Sequence, residues 1–552
     1  YDQTRADFDF DRGSNAAASR INSSGLIEKY RENTLEHSNN FNDASYTKVK
    51  TSFTSGQLDK DGGTNAWKYQ CSSNGASYFY KTPSTNSGIR TRSIYAKAGT
   101  ASQITFLWDS FNQNEHATFD LANGTFTNAG CLANMESVGD GWYRCTTTIT
   151  DSANTYALLI GLVDKSGSAS TAGDNVYIMY AQQESGLVAT DYLNSTSVTA
   201  KAGVLVDLPR INFDANGENG SLLLEPSRAN VYPYSEPFLG SGQTTNVSTY
   251  LNGDAFGIGV YGGVQLVAGS TKYYYQFSSA ASTQYAVSFF VRRTDGGLPR
   301  IGTNSNDANG DFCIVASGSV KAPNDWDTTP TITLFKDDVY KFEGVLTTPA
   351  LVDNFGHIKY SNNSAIDVQI TGLQAEPNAT YPSSYIPNHG ESGGVTRAAD
   401  SCLLNNSSAL PTAYPFTLYS ESIIKSIGSE VLMSFLNTSD NVSYAAIITS
   451  SGVPSLNARS SSSDVSLVSP DSVAEGVVKI VGVFESSTLK LFVNGALKAS
   501  ISNTTTFQSG WNDLLIGQLR TITDTGSRTT NKQAIVFPTA LTDAECVTLT
   551  TL

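Results

Sequence analysis

Two stretches of this chain repeat each other closely enough to constrain its architecture before any strand is assigned. Residues 26–41 read LIEKYRENTLEHSNNF and residues 223–238 read LLEPSRANVYPYSEPF. Both follow L-[IL]-E-x2-R-x-N-x4-S-x2-F without a gap. An Arg-Ile-Asn triplet precedes each copy, at Arg20-Ile21-Asn22 and Arg210-Ile211-Asn212. A second echo lies downstream: 181–194 (AQQESGLVATDYLN) and 373–388 (LQAEPNATYPSSYIPN) share Gln-x-Glu, then Ala-Thr, then a Tyr-led end. Self-similarity at long period means homologous structural units in series.

Between these marks the signal is β. Ser93–Ala98, Gly141–Thr146, Asn175–Tyr180, Ala286–Val291, Val339–Gly344 and Ala365–Ile370 are short and rich in β-branched and aromatic residues. Turn formers flank them, and several alternate with period two, as expected for sheets with one face in a core. No window carries a convincing helical stripe. The expected class is all-β, with three β-sandwich (jelly-roll) domains in series. The boundaries are a leading segment at 1–33, a first sandwich at 34–195 and a connecting segment at 196–230 that repeats the motif. A second sandwich at 231–388, a linker at 389–412 and a third, distinct sandwich at 413–552 follow. In the third, Leu489–Val493 runs into Asn494-Gly495, a two-residue hairpin signal. Thr542 and Glu545 form a capping-box pattern for a short terminal helix.

Composition narrows the function. Charged residues are only 15% of the chain and the net charge is −15. Nucleic-acid backbones call for clustered Lys and Arg, which are absent, so no nucleic-acid partner is expected. No apolar run is long enough to span a bilayer as a helix, so no membrane insertion is expected. The six cysteines are scattered without a CxxC pair and read as buried free thiols. No catalytic constellation emerges: there is no HExxH, GxSxG or phosphate-binding loop, and the four histidines are isolated. The chain is therefore read as non-enzymatic, with no catalytic residues and no metal ligands. A structural calcium is a candidate only through the acidic turns Asp59–Gly63 and Asp307–Asp311, since such a site needs six to eight oxygens.

Glycan binding demands less than catalysis. Aromatic rings stack on the apolar face of a sugar, and amides bond its hydroxyls. The sequence candidates are Trp108, Phe111 and Asn112, with Tyr78, Tyr80, Tyr273 and Tyr275 as further aromatic clusters. Sandwich core and surface tyrosine ladders compete with that reading at each cluster. The motif residues Glu28, Arg31 and Asn33 recur as Glu225, Arg228 and Asn230. The expectation is architectural: Glu pairs with Arg, and Asn holds a turn. A contact between protomers along a fibre axis is the alternative.

Three phrases resemble known proteins. Asp9–Ser14 with Arg20–Glu28, and Leu222–Asn230 with Tyr234-Ser235, resemble leading phrases of phage tail-fibre and head-fibre proteins. Ser384–Pro387 leading to Val395–Asp400 is similar to their closing phrase. The first two sandwiches resemble non-catalytic carbohydrate-binding modules, and the third looks like a concanavalin A-like (laminin G-like) domain through Lys490–Gly495 and Ala540–Glu545. The resemblance implies a virion surface protein that attaches to host cell-surface glycans. It also implies other virion proteins as partners and a homo-oligomer, a trimer being one option. A purely structural capsid- or tail-decorating protein and a cellular polysaccharide-binding protein are the alternatives.

Overall fold

The computed structural model describes residues 8–14, 17–83, 88–108, 115–149, 158–162, 170–238, 243–245, 249–251, 253–275, 282–316, 318–348, 355–391, 393–405, 407–424, 429–437, 443–508, 510–519 and 528–552. Period-two alternation becomes one-sided burial. Tyr78–Lys81 alternates half-buried and buried, and Asp464–Val468 alternates exposed and buried. Among the described residues all named strand pairs are antiparallel; the six larger sheets stack into three β-sandwiches, and three two-stranded ladders stand apart from them.

The first sandwich packs a sheet ordered Thr125–Ala129, His116–Asp120, Gln103–Leu107, Leu158–Gly161, Tyr78–Lys81, Thr47–Val49 on a second sheet. The second runs Leu132–Gly139, Trp142–Ile149, Arg90–Ala98, Asn175–Ser185, Ala66–Cys71, Thr51–Gln57. Phe41, Tyr69, Phe79, Ile94, Phe106 and Ile178 fill the space between. The second sandwich repeats the plan: Asn175–Ser185 corresponds to Val368–Pro377, and Arg90–Ala98 to Thr283–Arg293. The third has two seven-stranded sheets closed around Phe416, Phe435, Leu456, Ile480 and Leu491. Its Asn494-Gly495 turn has φ of 46° and 81°, the left-handed pair that a two-residue hairpin of this kind requires. The terminal helix spans Asp543–Thr550, with the Thr542 hydroxyl and the Glu545 carboxylate bonding reciprocally at its start. All six cysteines are free, five of them buried.

The repeat is also a repeat of hydrogen bonds. Asn33 donates to the carbonyls of Ala181 and Leu193 and accepts from the N–H groups of Leu35 and Gln183. Asn230 makes the same four bonds with Leu373, Ile386, Tyr232 and Ala375. Gln182 donates to Glu184, and Gln374 to Glu376, each at 2.6 Å. Each motif asparagine thus locks the start of its sandwich to the last long strand and to the chain beyond it.

The segments outside the sandwiches are not passive. Ser19–Ile21 and Ile27–Lys29 form a hairpin that docks on the second sandwich, not the first. Ile27 packs with Phe256, Ile258, Phe290 and Tyr385, and its N–H donates to the Ile258 carbonyl. The matching hairpin, Ile211–Asn212 with Ser221–Leu224, joins a sheet of the third sandwich through Leu222 opposite Asn531. Asp9–Asp11 pairs with Ser401–Leu404 in the other sheet. The stretch 389–412, expected as a linker, instead contributes Val395–Arg397 and Ser401–Leu404 as strands. The turn residues that suggested a linker flank these two short strands.

The motif glutamates pair with arginines other than those expected. Glu28 meets Arg20 at 2.8 Å, and Glu225 meets Arg210 at 3.0 Å. Residues three apart on an extended chain face opposite sides, so Glu28 cannot reach Arg31; its cross-strand neighbour is Arg20. Arg31 donates instead to the Asp191 carbonyl, and Arg228 lies 3.8 Å from Glu376. Around Glu225 a buried hub forms. Arg397 lies 3.0 Å from it, Ser384 donates to it, and Arg210 bridges onward to Asp400, which Arg12 also meets at 3.2 Å. The hub joins the leading segment, both connecting segments and the second sandwich.

A second latch holds the first hairpin down. Buried Glu236 lies 3.4 Å from Lys29 and 2.8 Å from His389, and accepts from the Tyr385 hydroxyl. Burial alone would raise this carboxyl, but His389 and Lys29 pull it from 4.5 to about 2. A depressed carboxyl stabilises the fold above its ordinary value and stops doing so as pH falls through about 4.5 toward about 2. The gap between those two values corresponds to a loss of about 3 kcal/mol. In urea titrations across this window, wild type should lose about that much more stability than Glu236→Gln. Equal losses would show that Glu236 is not coupled to folding.

Candidate functional site

The structure scatters the aromatic residues singled out from sequence. Trp108 is 1% exposed. Its indole N–H donates to the Thr147 hydroxyl, and the Arg92 guanidinium lies 3.6 Å from the ring centroid. Its ring is occupied within the fold and is not offered to a ligand. Phe111 and Asn112 lie outside the described residues. Tyr78 and Tyr80 are half-buried on one sheet of the first sandwich. Tyr273 is fully buried in the core of the second, facing Tyr232, and therefore cannot stack on a ligand. Tyr275 is placed by strand register opposite Phe355; its side chain lies outside the described residues. The acidic turns bind themselves: Asp59 accepts from the N–H groups of Asp61, Gly63 and Asn65, and Asp307 from those of Thr303 and Asn309. Among the described residues no group of three or more His, Cys, Asp or Glu is placed to hold a metal.

A different aromatic group is assembled on the outer face of the first sandwich's second sheet. Tyr95 and Arg144 are cross-strand partners, and Tyr95 also faces Met179. A bulge follows Met179, where the pairing jumps from Met179–Tyr95 to Gln182–Ser93. Tyr180 and Ala181 together oppose the single residue Ile94. Tyr180 stacks on Tyr192 at 4.4 Å and 17°, and presents its edge to Tyr95 at 6.1 Å. Lys60 and Arg144 each lie 5.4 Å from the Tyr95 centroid. All three tyrosines are half-buried, leaving a partly open aromatic surface. Partial burial, with Asp59 and Asp61 nearby, raises the Tyr180 phenol, which therefore stays a neutral hydrogen-bonding group.

Tyr180 is held in a conformation that side chains avoid. Its φ is +57°, fixed by its N–H donating to Asn39 and by the Ala181 N–H donating to the Ser38 carbonyl. In the left-handed region a Cβ crowds the following carbonyl, costing about 1–2 kcal/mol. The second sandwich has the same bulge, with Thr371 opposite Phe290 and Gln374 opposite Ser288. There the left-handed residue is Gly372, φ +63°, and a Cβ on it would sit 2.6 Å from the Phe290 ring. Phe290, Gly372 and Tyr385 thus stand where Tyr95, Tyr180 and Tyr192 stand in the first sandwich. The second set is closed under Ile27, Phe256 and Ile258. The sequence contained the signal, since Tyr180 and Gly372 both stand two residues before Gln-x-Glu, but only the backbone reveals what the tyrosine costs.

Among solved structures, the chain is similar to the carbohydrate-binding module CBM40 of the Ruminococcus gnavus IT-sialidase, with 15% identity and a TM-score of 0.24. That match covers 26% of this chain and 85% of that one. It is similar to a heptameric SAP-like pentraxin from Limulus polyphemus, at 17% identity and TM-score 0.22, over 25% and 70% of the two chains. The receptor-binding domain of botulinum neurotoxin D matches at 14% identity and TM-score 0.22, over 26% and 40%. No protein-family model matches the chain, and no curated protein does.

Proposed function

We propose that this chain is a non-enzymatic bacteriophage virion surface protein, a fibre, spike or adhesin, that binds host cell-surface glycans through the Tyr95–Tyr180–Tyr192 face. One observation carries the site: a tyrosine stands in a left-handed position that the homologous sandwich fills with glycine. Strain of that kind is kept where a side chain is needed in place. What it places is an angled aromatic cluster, the Tyr180–Tyr192 stack standing at 88° to Tyr95, with cations and amides at its rim, suited to the C–H face and hydroxyls of a sugar. The virion role is supported by the leading and closing phrases, and self-association on a particle would multiply weak single sites.

A structural role is the second reading, favoured by the twin face, which a hairpin of this chain covers. Glycan arrays and whole-cell binding with the purified chain separate the two. Binding that falls at least tenfold in Tyr95→Ala is expected. Uniform negatives across glycans and host envelopes would reject the adhesin role, and absence of the chain from purified particles would reject the virion role.

A further inference from the structure

The tyrosine face does not end at Arg144. That side chain also lines a cleft of about 190 Å³ between the first and second sandwiches. Asn134, Glu136 and Thr146 reach it from the first sandwich and Tyr261 from the second, over an apolar floor that includes Leu187 and Val188. Arg144 is built into the wall: its guanidinium donates to the carbonyls of Ala189 and Thr190 and to the Ser93 hydroxyl, while its buried Nε–H has no partner among the described residues. The side chains of Asn134, Glu136, Thr146 and Tyr261 make no hydrogen bond to the described residues, which leaves their donors and acceptors available. From the strand of Glu136 to that of Tyr180 there are three inter-strand steps, about 14 Å at ~4.8 Å each.

We infer that the platform and the cleft form one groove for a linear, neutral oligosaccharide, with one end stacked on the tyrosines and the other hydrogen-bonded between the two sandwiches. This rests on the glycan-binding reading of the tyrosine face. Length follows from the span, which a single sugar does not fill. Neutrality follows from the charges: Glu136 is exposed at one end, Lys60 and Asp61 neutralise each other at 2.7 Å at the other, and the charge of Arg144 is spent on backbone carbonyls. The net charge of −15 adds a repulsive field toward polyanions.

The test is calorimetric titration of the full chain with size-graded neutral gluco-, manno- and galacto-oligosaccharides, beside sialylated and sulfated counterparts. Affinity in one neutral series should rise at least tenfold from monosaccharide to tetrasaccharide. Asn134→Ala combined with Tyr261→Phe should abolish most of that gain while leaving the monosaccharide and the melting temperature unchanged. Binding without length dependence, a gain that survives the double variant, or preference for the anionic counterparts would overturn the groove and leave the tyrosine site standing. Absence of binding at every length would overturn both.

Discussion

Replacing Glu225 with Gln should lower the stability of the chain by about 3–5 kcal/mol, the penalty for removing one partner of a buried ion pair. Glu225 is fully buried and meets Arg210 and Arg397 at 3.0 Å, with Arg528 at 3.9 Å. Burial opposes its charge, yet Arg397 and Arg210 hold it far below the ordinary carboxylate range. Without that charge, Asp400 is left to answer guanidinium groups that have no water to turn to. The motif provides its own control, because Glu28 occupies the same place in the first copy. Its pair with Arg20 is about a quarter exposed, and such pairs contribute under about 1 kcal/mol. Glu28→Gln should therefore be nearly silent. At 2–4 °C per kcal/mol for units of this size, Glu225→Gln should move the calorimetric transition down by roughly 10 °C. It should also split it, since the hub joins the second sandwich to segments that complete the third. Equal shifts for the two variants would show that the hub does not hold the units together.

The architecture was legible where the sequence repeats itself. The shared L-[IL]-E-x2-R-x-N pattern marks two homologous sandwiches because Asn33 and Asn230 make the same bonds, so the same residue types were needed twice. Which sandwich each hairpin joins was not legible. A strand of two to four residues, such as Ile211–Asn212 or Ser221–Leu224, carries no information about a partner three hundred residues away. Proximity in sequence points Glu28 to Arg31, whereas the two-residue period of an extended chain sends it toward Arg20.

The candidate site was less legible for a different reason. Aromatic residues among amides at a strand end look exposed, but Trp108 is drawn inward by Arg92. The signal overlooked was the Arg90-Thr91-Arg92 alternation, which turns two arginines into the sandwich. In the same way Tyr273 sits on the inward phase of Thr271–Tyr275, and no count of tyrosines distinguishes that phase from the outward one.

Tyr180→Gly should abolish glycan binding while lowering stability by only about 1 kcal/mol, because the strain it relieves offsets more than half of what it gives up. Glycine removes the left-handed strain of about 1–2 kcal/mol. It forfeits the stack on Tyr192 and the edge contact with Tyr95, about 0.5–1.5 kcal/mol each. It adds about 0.5–1 kcal/mol of backbone entropy to be lost on folding. The second sandwich tolerates Gly372 in the same bulge, so the backbone geometry itself is secure. Tyr180→Ala supplies the contrast: it loses the ring but keeps a Cβ at φ +57°, and should be about 1 kcal/mol less stable than Tyr180→Gly. Both variants should lose binding at least tenfold, equivalent to about 1.4 kcal/mol, so affinity and stability move independently. Glycine serves the backbone of this bulge, so tyrosine is retained for what its ring contacts. Wild-type affinity in Tyr180→Gly would reject the tyrosine face as the site. A large loss of stability in that variant alone would instead assign the ring to the fold.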